Sequence, residues 1–294
     1  MNKKDLSSDL YFDLLKSALC ASLYDESAWR RVDGPMKSYI DSASIVNKLV
    51  AKAKYAVLHF LHARNLQLVH TRQFDPVARD AGDDWPLFGF TMTGRRRLDA
   101  LQSCVENILD NNVPGDFAET GVWRGGSVIL MRAILRARNS TDRVVWCADS
   151  FEGMPASTAA DEQITKIANW GDLSDRDYLK VSLEQVKKNF ERFGLLDEQV
   201  KFLKGWFSET LPTAPIKQLA LLRLDGDLYE STRDALVNLY DKVSPGGYVI
   251  IDDYNSWETC QVAVDEFRLQ RGISETITPI DGQSILWRVA VDKA

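Results

Sequence analysis

LALLRLDGDLYESTRDALVNLYDKVSPGGYVIIDDY, residues 219–254, decides the fold of this chain. The apolar run at its start predicts a strand over 219–224, and a second apolar run predicts a strand over 248–251. Apolar spacing between them predicts a helix over 232–243. Continuous apolar runs are typical of strands that are buried on both faces of a parallel sheet. The stretch therefore predicts a strand–helix–strand unit of an α/β fold.

The same alternation continues outward from this unit. It predicts strands at 116–120, 143–148 and 200–203, and helices at 94–111, 126–138, 183–193 and 259–270. The tail adds short strands at 275–280 and 284–289, joined across Asp281-Gly282, which is a hairpin signal. We therefore expect a mostly parallel sheet with an antiparallel last strand. Two helix-like segments, 10–24 and 37–67, precede it, so we divide the chain into an N-terminal helical cap or oligomerisation segment, residues 1–93, and an α/β domain, residues 94–294.

Carboxylates follow two of the predicted strands. Asp225 comes directly after the first, and Asp252-Asp253 come directly after the second. Ligands of parallel sheets bind outside the carboxyl ends of the strands, and carboxylate oxygens suit Mg²⁺. We therefore predict a metal site formed by Asp225, Asp252 and Asp253. Asp227 is the alternative to Asp225 as the first ligand, since the end of the strand is not fixed to within two residues.

A glycine turn follows the predicted strand 116–120. Gly121 allows close approach of the backbone, and Gly125-Gly126 open a helix whose amides face a ligand. The spacing is not G-x-G-x-x-G, and Glu119 would repel a diphosphate, so NAD is disfavoured. Asp149-Ser150 end the next strand, where an acid commonly binds ribose hydroxyls. The pattern favours S-adenosylmethionine, a cationic ligand with an amino acid group.

Composition narrows the function classes. The 294 residues are 45% hydrophobic and 27% charged, with a net charge of -6, which argues against nonspecific nucleic-acid binding. No secretion signal is evident, and charged residues interrupt the most hydrophobic stretch, 45–69, so it is a poor membrane span. We expect a cytoplasmic protein with a small-molecule partner. Four scattered cysteines, which lack metal-ligand spacing, are expected to be reduced: Cys20, Cys104, Cys147 and Cys260.

Four ordered motifs resemble those of the macrocin and mycinamicin sugar O-methyltransferase family: ETGVWRGG (119–126), DSFEGMP (149–155), LDGDLYEST (224–232) and DDY (252–254). The resemblance covers residue 85 to the C-terminus. The segment 9–24 is also similar, whereas 31–81 does not match. It implies a Rossmann-like class I methyltransferase sheet and methyl transfer from S-adenosylmethionine to a hydroxyl, usually on a deoxysugar of a secondary metabolite, with bound Mg²⁺.

The resemblance also implies the residues of the cofactor site. Asp149 and Ser150 are expected to hold the ribose, and Trp206-Phe207 to lie near the adenine or the wall of the site. The remaining expected cofactor residues are Thr91, Met92, Glu119, Thr120, Gly121, Val122, Trp123 and Ser127.

An alcohol needs help to lose its proton at neutral pH. The three histidines, His59, His62 and His70, precede the α/β domain, so the usual base is absent from every predicted strand end. We therefore predict that Asp225 is both metal ligand and catalytic base. The alternatives are a catechol or phenol O-methyltransferase, a cofactor-binding subunit without catalysis, and an NAD-linked dehydrogenase. The acceptor is expected to be a glycosylated natural product, and the chain to form a homo-oligomer.

Overall fold

A mixed seven-stranded sheet forms the centre of the protein, whose computed structural model describes residues 6–32, 44–84, 86–164, 174 and 176–291. The strand order is β5-β4-β3-β6-β7-β9-β8, and the first five of these strands pair in parallel. The strands are β3 (Asp116–Thr120), β4 (Val145–Asp149), β5 (Val200–Lys204), β6 (Leu219–Leu224), β7 (Val243–Ile251), β8 (Thr278–Pro279) and β9 (Ile285–Arg288). A separate antiparallel pair joins β1 (Arg30–Arg31) to β2 (Val69–His70).

The last strand in the chain confirms the predicted topology. β9 pairs antiparallel with both β7 and β8, across the turn at Asp281-Gly282. The Asp281 carboxylate accepts the amides of Gln283 and Ser284, at 2.8 Å each, which fixes the turn. The hairpin strands are shorter than the predicted 275–280 and 284–289.

Ten α-helices are assigned within the described residues. They are α1 (Leu6–Leu19), α2 (Ile45–His62), α3 (Pro76–Ala81), α4 (Arg95–Asp110), α5 (Gly126–Ala137), α6 (Ala159–Ile164), α7 (Leu183–Arg192), α8 (Phe207–Thr210), α9 (Tyr229–Leu239) and α10 (Glu258–Arg271). The part of the predicted helix 37–67 that precedes residue 44 lies outside the described residues.

Several boundaries differ from prediction, and two of these differences have physical reasons in the tertiary structure. α9 begins at Tyr229 instead of residue 232, because the buried carboxylate of Asp161 accepts the Tyr229 amide at 2.8 Å. β7 begins at Val243 instead of residue 248. Its pairing with β6 shifts register between Leu219 and Leu221, which accommodates the segment around Gly246 (φ +82°) within one strand. A cap from a distant helix and a bulge both lack a local sequence signal.

The sheet is covered by apolar clusters on both faces. One cluster joins the sheet to α1, α4, α5 and α7, and the other joins it to α9 and α10. Phe12, Leu15 and Leu19 of α1 lie in the first cluster, so this helix packs as part of the α/β unit. The functional division at residue 93 stays a prediction.

Within the described residues, no helix combines the length and the apolar character needed to cross a membrane.

Candidate active site

A two-lobed cleft lies at the carboxyl ends of β3, β4, β6 and β7. Its first lobe is lined by the turns that follow β3, β4 and β5, and its second lobe by residues 91–93, Glu119 and the acids after β6 and β7. The space inside the two lobes, including the part that is open to solvent, is about 730 and 780 Å³. β3 lies between β4 and β6, so this is the point at which the strand order reverses and ligands bind. Asp225 lines both lobes.

Gly121 brings the turn after β3 against the end of β6. Its φ is +84°, and a Cβ at this position would overlap the carbonyl oxygen of Asp225. The Asp225 amide donates to the Thr120 carbonyl at 2.9 Å, and the Gly121 amide donates to the Ala148 carbonyl at the same distance. Three strand ends are therefore tied together beneath the cleft, and the contact between two of them requires glycine.

Asp149 fastens the turns after β3 and β4 to each other. Its Oδ2 accepts the Val122 amide at 2.8 Å, and its Oδ1 accepts the Phe151 amide at 2.7 Å. Burial raises the pKa of Asp149, although these hydrogen bonds act in the opposite direction. Ser150 donates to the Gly153 carbonyl at 2.7 Å. Asp149 and Ser150 both line the first lobe, and their hydrogen bonds to the backbone hold the turns after β3 and β4 in shape.

Glu119 is a buried acid on the second lobe. One oxygen, Oε1, accepts a hydrogen bond from the Arg223 guanidinium, whereas Oε2 is buried and has no hydrogen-bond partner among the described residues. Burial raises the pKa of Glu119 to about 8, against the attraction of Arg223. This side chain is an incompletely satisfied carboxyl group in the wall of the cleft.

The structure places most of the predicted cofactor residues on the cleft. Gly121, Asp149, Ser150, Trp206 and Phe207 line the first lobe. The second lobe is lined by Thr91, Met92, Glu119, Val122, Trp123 and Ser127. Thr120 differs, because it is fully buried and lines neither lobe. Its contribution is the carbonyl that receives the Asp225 amide.

Three carboxylates converge on the second lobe. One oxygen from each of Asp225, Asp227 and Asp253 lies within 4.8 Å of the others. Burial, followed by repulsion from neighbouring acids, raises the pKa of all three, that of Asp227 to about 7 and that of Asp253 well above its ordinary value. Within the described part of the chain, the buried Oδ2 of Asp253 has no hydrogen-bond partner. Such a set of hard oxygen donors suits a divalent cation.

Asp252 is bound differently from the other acids. Its Oδ2 accepts from Arg97 Nη1 at 2.9 Å, and its Oδ1 lies 2.5 Å from Arg223 Nη2. Burial alone would raise its pKa, but the two arginines hold it below the ordinary value. The structure therefore brings Asp225 and Asp253 of the predicted metal set together and adds Asp227, whereas both oxygens of Asp252 already have cationic partners.

Sequence reasoning missed the two arginines of this site. Arg223 had a visible signal, because it is the one charged residue in the apolar strand β6. Arg97 had none, since it lies in the first turn of a helix among other arginines and reaches Asp281 of the distant hairpin at 2.7 Å.

The chain is similar in sequence to known proteins over most of its length. The family model described as macrocin-O-methyltransferase (TylF) matches residues 8–289. The chain is 46% identical, over 284 residues, to the 8-demethyl-8-(2,3-dimethoxy-alpha-L-rhamnosyl)-tetracenomycin-C 4'-O-methyltransferase of Streptomyces olivaceus. The alignment covers 95% of this chain and 92% of that protein. It is 48% identical, over 221 residues, to the mycinamicin III 3''-O-methyltransferase of Micromonospora griseorubida, with coverage of 75% and 87%.

A solved structure agrees with the sequence matches. The O-methyltransferase NovP superposes with a TM-score of 0.76 at 42% identity, covering 97% of this chain and 100% of that chain. These similarities confirm the predicted family, the predicted methyltransferase sheet and the predicted class of activity. The chain therefore belongs to the TylF macrocin-O-methyltransferase family, and it is an O-methyltransferase.

Proposed function

We propose that this enzyme transfers a methyl group from S-adenosylmethionine to a hydroxyl of a glycosylated natural product, with the help of a bound Mg²⁺. The observation that carries the proposal is the position of Asp225, which lines both the lobe with the predicted ribose and adenine residues and the lobe with the acidic cluster. The relatives whose names specify a sugar or macrolide acceptor support the acceptor class.

The chemistry of the cleft fits S-adenosylmethionine, which supplies an electrophilic methyl group on a sulfonium centre. The unpartnered Oε2 of Glu119 suits a cationic amino group, since a nearby cation favours the ionised carboxylate. Gly121 lets the backbone approach a ligand closely. The aromatic rings of Trp206 and Phe207 line the same lobe as Asp149, which supports the predicted adenine and ribose ends.

The acidic cluster fits Mg²⁺, which, when bound, lowers the pKa of a coordinated hydroxyl. Asp225 and Asp253 belong both to the predicted ligand set and to the observed cluster. We propose them as ligands, with either Asp227 or Asp252 as the third. The unpartnered Oδ2 of Asp253 and the mutual repulsion of the acids support a cation at this position. Asp252 would have to exchange an arginine for the metal.

Asp225 is the proposed base. The acceptor oxygen forms a bond to the methyl carbon, the electron pair of the carbon–sulfur bond passes to sulfur, and Asp225 receives the hydroxyl proton. In the described part of the chain, no histidine lines either lobe, so a carboxylate is the available acceptor of that proton. Trp123 and Trp257 line the second lobe and offer apolar faces for orienting a sugar ring.

Labelled S-adenosylmethionine tests the proposal directly. The enzyme would be incubated with panels of deoxysugar glycosides and of catechols, each with Mg²⁺ and with EDTA. We expect label on a glycoside, lost in EDTA. Label on catechols alone would overturn the sugar acceptor, and full activity in EDTA would overturn the metal. Binding of S-adenosylhomocysteine without transfer to any acceptor would support a cofactor-binding subunit instead.

We also propose a homo-oligomer that uses α2. This helix exposes large apolar side chains at helical spacing, whereas only Ala51 and Leu58 are buried. The exposed set includes Ile45, Val46, Leu49, Val50, Val57 and Phe60. Sedimentation of the Val50→Glu variant tests it, with Lys48→Glu, which lies outside the exposed apolar stripe of the helix, as the control. We expect only Val50→Glu to dissociate the oligomer, and a monomeric wild type would contradict the proposal.

The predicted cytoplasmic location stays a prediction.

A further inference from the structure

Arg223 is a charged residue in the most deeply buried strand of the sheet. All six residues of β6 are buried, and the Arg223 side chain is 2% exposed. A buried cation destabilises a fold unless carboxylates and hydrogen bonds compensate it. Arg223 lines neither lobe of the cleft, so its role must pass through the groups that it holds.

The guanidinium of Arg223 binds groups from four separate segments. Its Nη1 donates to Glu119 Oε1 and to Asp225 Oδ2, the latter at 2.9 Å. Its Nη2 lies 2.5 Å from Asp252 Oδ1 and donates to Thr93 Oγ1 at 3.1 Å. A planar fork can make these contacts at the same time, whereas a lysine ammonium cannot reach them all from one point.

The two carboxylates on Nη1 are each engaged through one oxygen only. Glu119 keeps Oε2 unpartnered in the wall of the second lobe. Asp225 is bound through Oδ2, so Oδ1 takes no part in this ion pair, and its side chain is 32% exposed where the two lobes meet. One guanidinium nitrogen therefore sets the orientation of an acid on the cofactor side and of the proposed base.

We infer that Arg223 is a positioning residue that couples cofactor binding to catalysis, an inference that rests on the proposed function. It anchors one oxygen of Glu119 and one of Asp225. The other oxygen of Glu119 is left for the cofactor, and the other oxygen of Asp225, which has two lone pairs, is left for the metal and the acceptor hydroxyl. The spacing between the two acids is thereby fixed by a group that touches neither substrate.

Arg223→Lys tests this role, because it keeps the charge but loses the fork. We expect the affinity for S-adenosylhomocysteine, measured by calorimetry, to fall about tenfold, because that is roughly the effect of losing one charge-assisted hydrogen bond. We expect kcat to fall about 100-fold or more, since the base is misplaced, while the acceptor KM stays near the wild-type value. The control is Arg132→Lys, which changes a similarly buried arginine bound to Asp197 away from the cleft.

A folded Arg223→Lys protein with wild-type kcat and wild-type affinity would overturn the inference. So would equal losses in Arg132→Lys, which indicate a merely structural role. If Arg223→Lys does not fold, the Glu119→Gln and Asp225→Asn variants and their double mutant replace it. If Arg223 couples the two acids, the fold-change in S-adenosylhomocysteine affinity of the double mutant should differ from the product of the two single-mutant fold-changes. A double-mutant fold-change equal to that product would overturn the inference. A wild-type enzyme inactive on every acceptor would refute the proposed function alone, since the calorimetric comparison does not need turnover.

Discussion

Asp252 and Asp253 are neighbours in the chain, yet their substitution by asparagine is predicted to shift stability in opposite directions. Both carboxylate oxygens of Asp252 face arginines, at 2.9 and 2.5 Å. Asp253 instead lies within 4.8 Å of Asp225 and Asp227, with one oxygen unpartnered. Asp252→Asn therefore removes attraction, and Asp253→Asn removes repulsion.

The magnitudes follow from these contacts. Breaking a buried ion pair costs about 3–5 kcal/mol, and the other acids around the arginines place Asp252→Asn near the lower end. At about 2 °C per kcal/mol for a chain of this size, the Tm should fall by roughly 6 °C. Two full charges 4.8 Å apart repel by about 3.5 kcal/mol at an effective dielectric constant of 20. Burial and the neighbouring acids raise the pKa of Asp253, and protonation relieves part of this repulsion, so the expected gain for Asp253→Asn is smaller than this figure.

The assay is thermal unfolding in EDTA, repeated with Mg²⁺. In EDTA we expect a lower Tm for Asp252→Asn and a higher Tm for Asp253→Asn. With Mg²⁺ the wild type should gain stability, and Asp253→Asn should not. Whether Asp252→Asn or Asp227→Asn also loses this response identifies the third ligand. Two substitutions that shift the Tm alike in EDTA would refute the reasoning from the arginine contacts.

Three further predictions concern the geometry and charge of the cleft. Gly121→Ala should lower both the Tm and the calorimetric affinity for S-adenosylhomocysteine, because its Cβ would overlap the Asp225 carbonyl oxygen. The control is Gly194→Ala, also at positive φ but with no described atom within 4 Å of the added Cβ, which should cost only about 1 kcal/mol of left-handed strain. Equal effects of the two substitutions would argue against the Asp225 contact. Burial raises the folded-state pKa of Asp227 to about 7, above the pKa of about 4 in the unfolded chain. Without metal, ionisation of Asp227 therefore destabilises the folded protein, and the Tm should fall as the pH rises from about 4 to 7. That slope should flatten in Asp227→Asn or with Mg²⁺, and an unchanged slope would contradict it. Trp206→Ala, which removes a ring 37% exposed on the first lobe, should weaken S-adenosylhomocysteine binding about tenfold; unchanged binding would exclude a contact with the adenine.

The parts of the fold that follow from local pattern were predictable. β3 and β6 have the predicted bounds, because β3 ends at a glycine turn and β6 is a mostly apolar run that ends at an acid. The bulge in β7 and the start of α9 were not predictable, since the first depends on the register with a neighbouring strand and the second on a carboxylate from α6.

The candidate site also has parts that the sequence predicts and parts that it does not. The acids at the strand ends were visible because the ends of parallel strands meet at one edge of the sheet. Which acids face each other and which face arginines depends on side-chain partners from distant segments, such as Arg97 of α4. Asp227 is an example, because its positive φ of 54° turns the chain and its carboxylate joins the cluster with Asp225.

The role of Asp225 as base is the central claim, and a single comparison tests it most directly. Methyl transfer and S-adenosylhomocysteine binding would be measured side by side for Asp225→Asn and for Asp241→Asn, an exposed acid paired with Arg271 outside the cleft. We predict that Asp225→Asn loses transfer by about 100-fold or more while it still binds S-adenosylhomocysteine, and that Asp241→Asn behaves as the wild type. Transfer by Asp225→Asn at the wild-type rate would contradict the account.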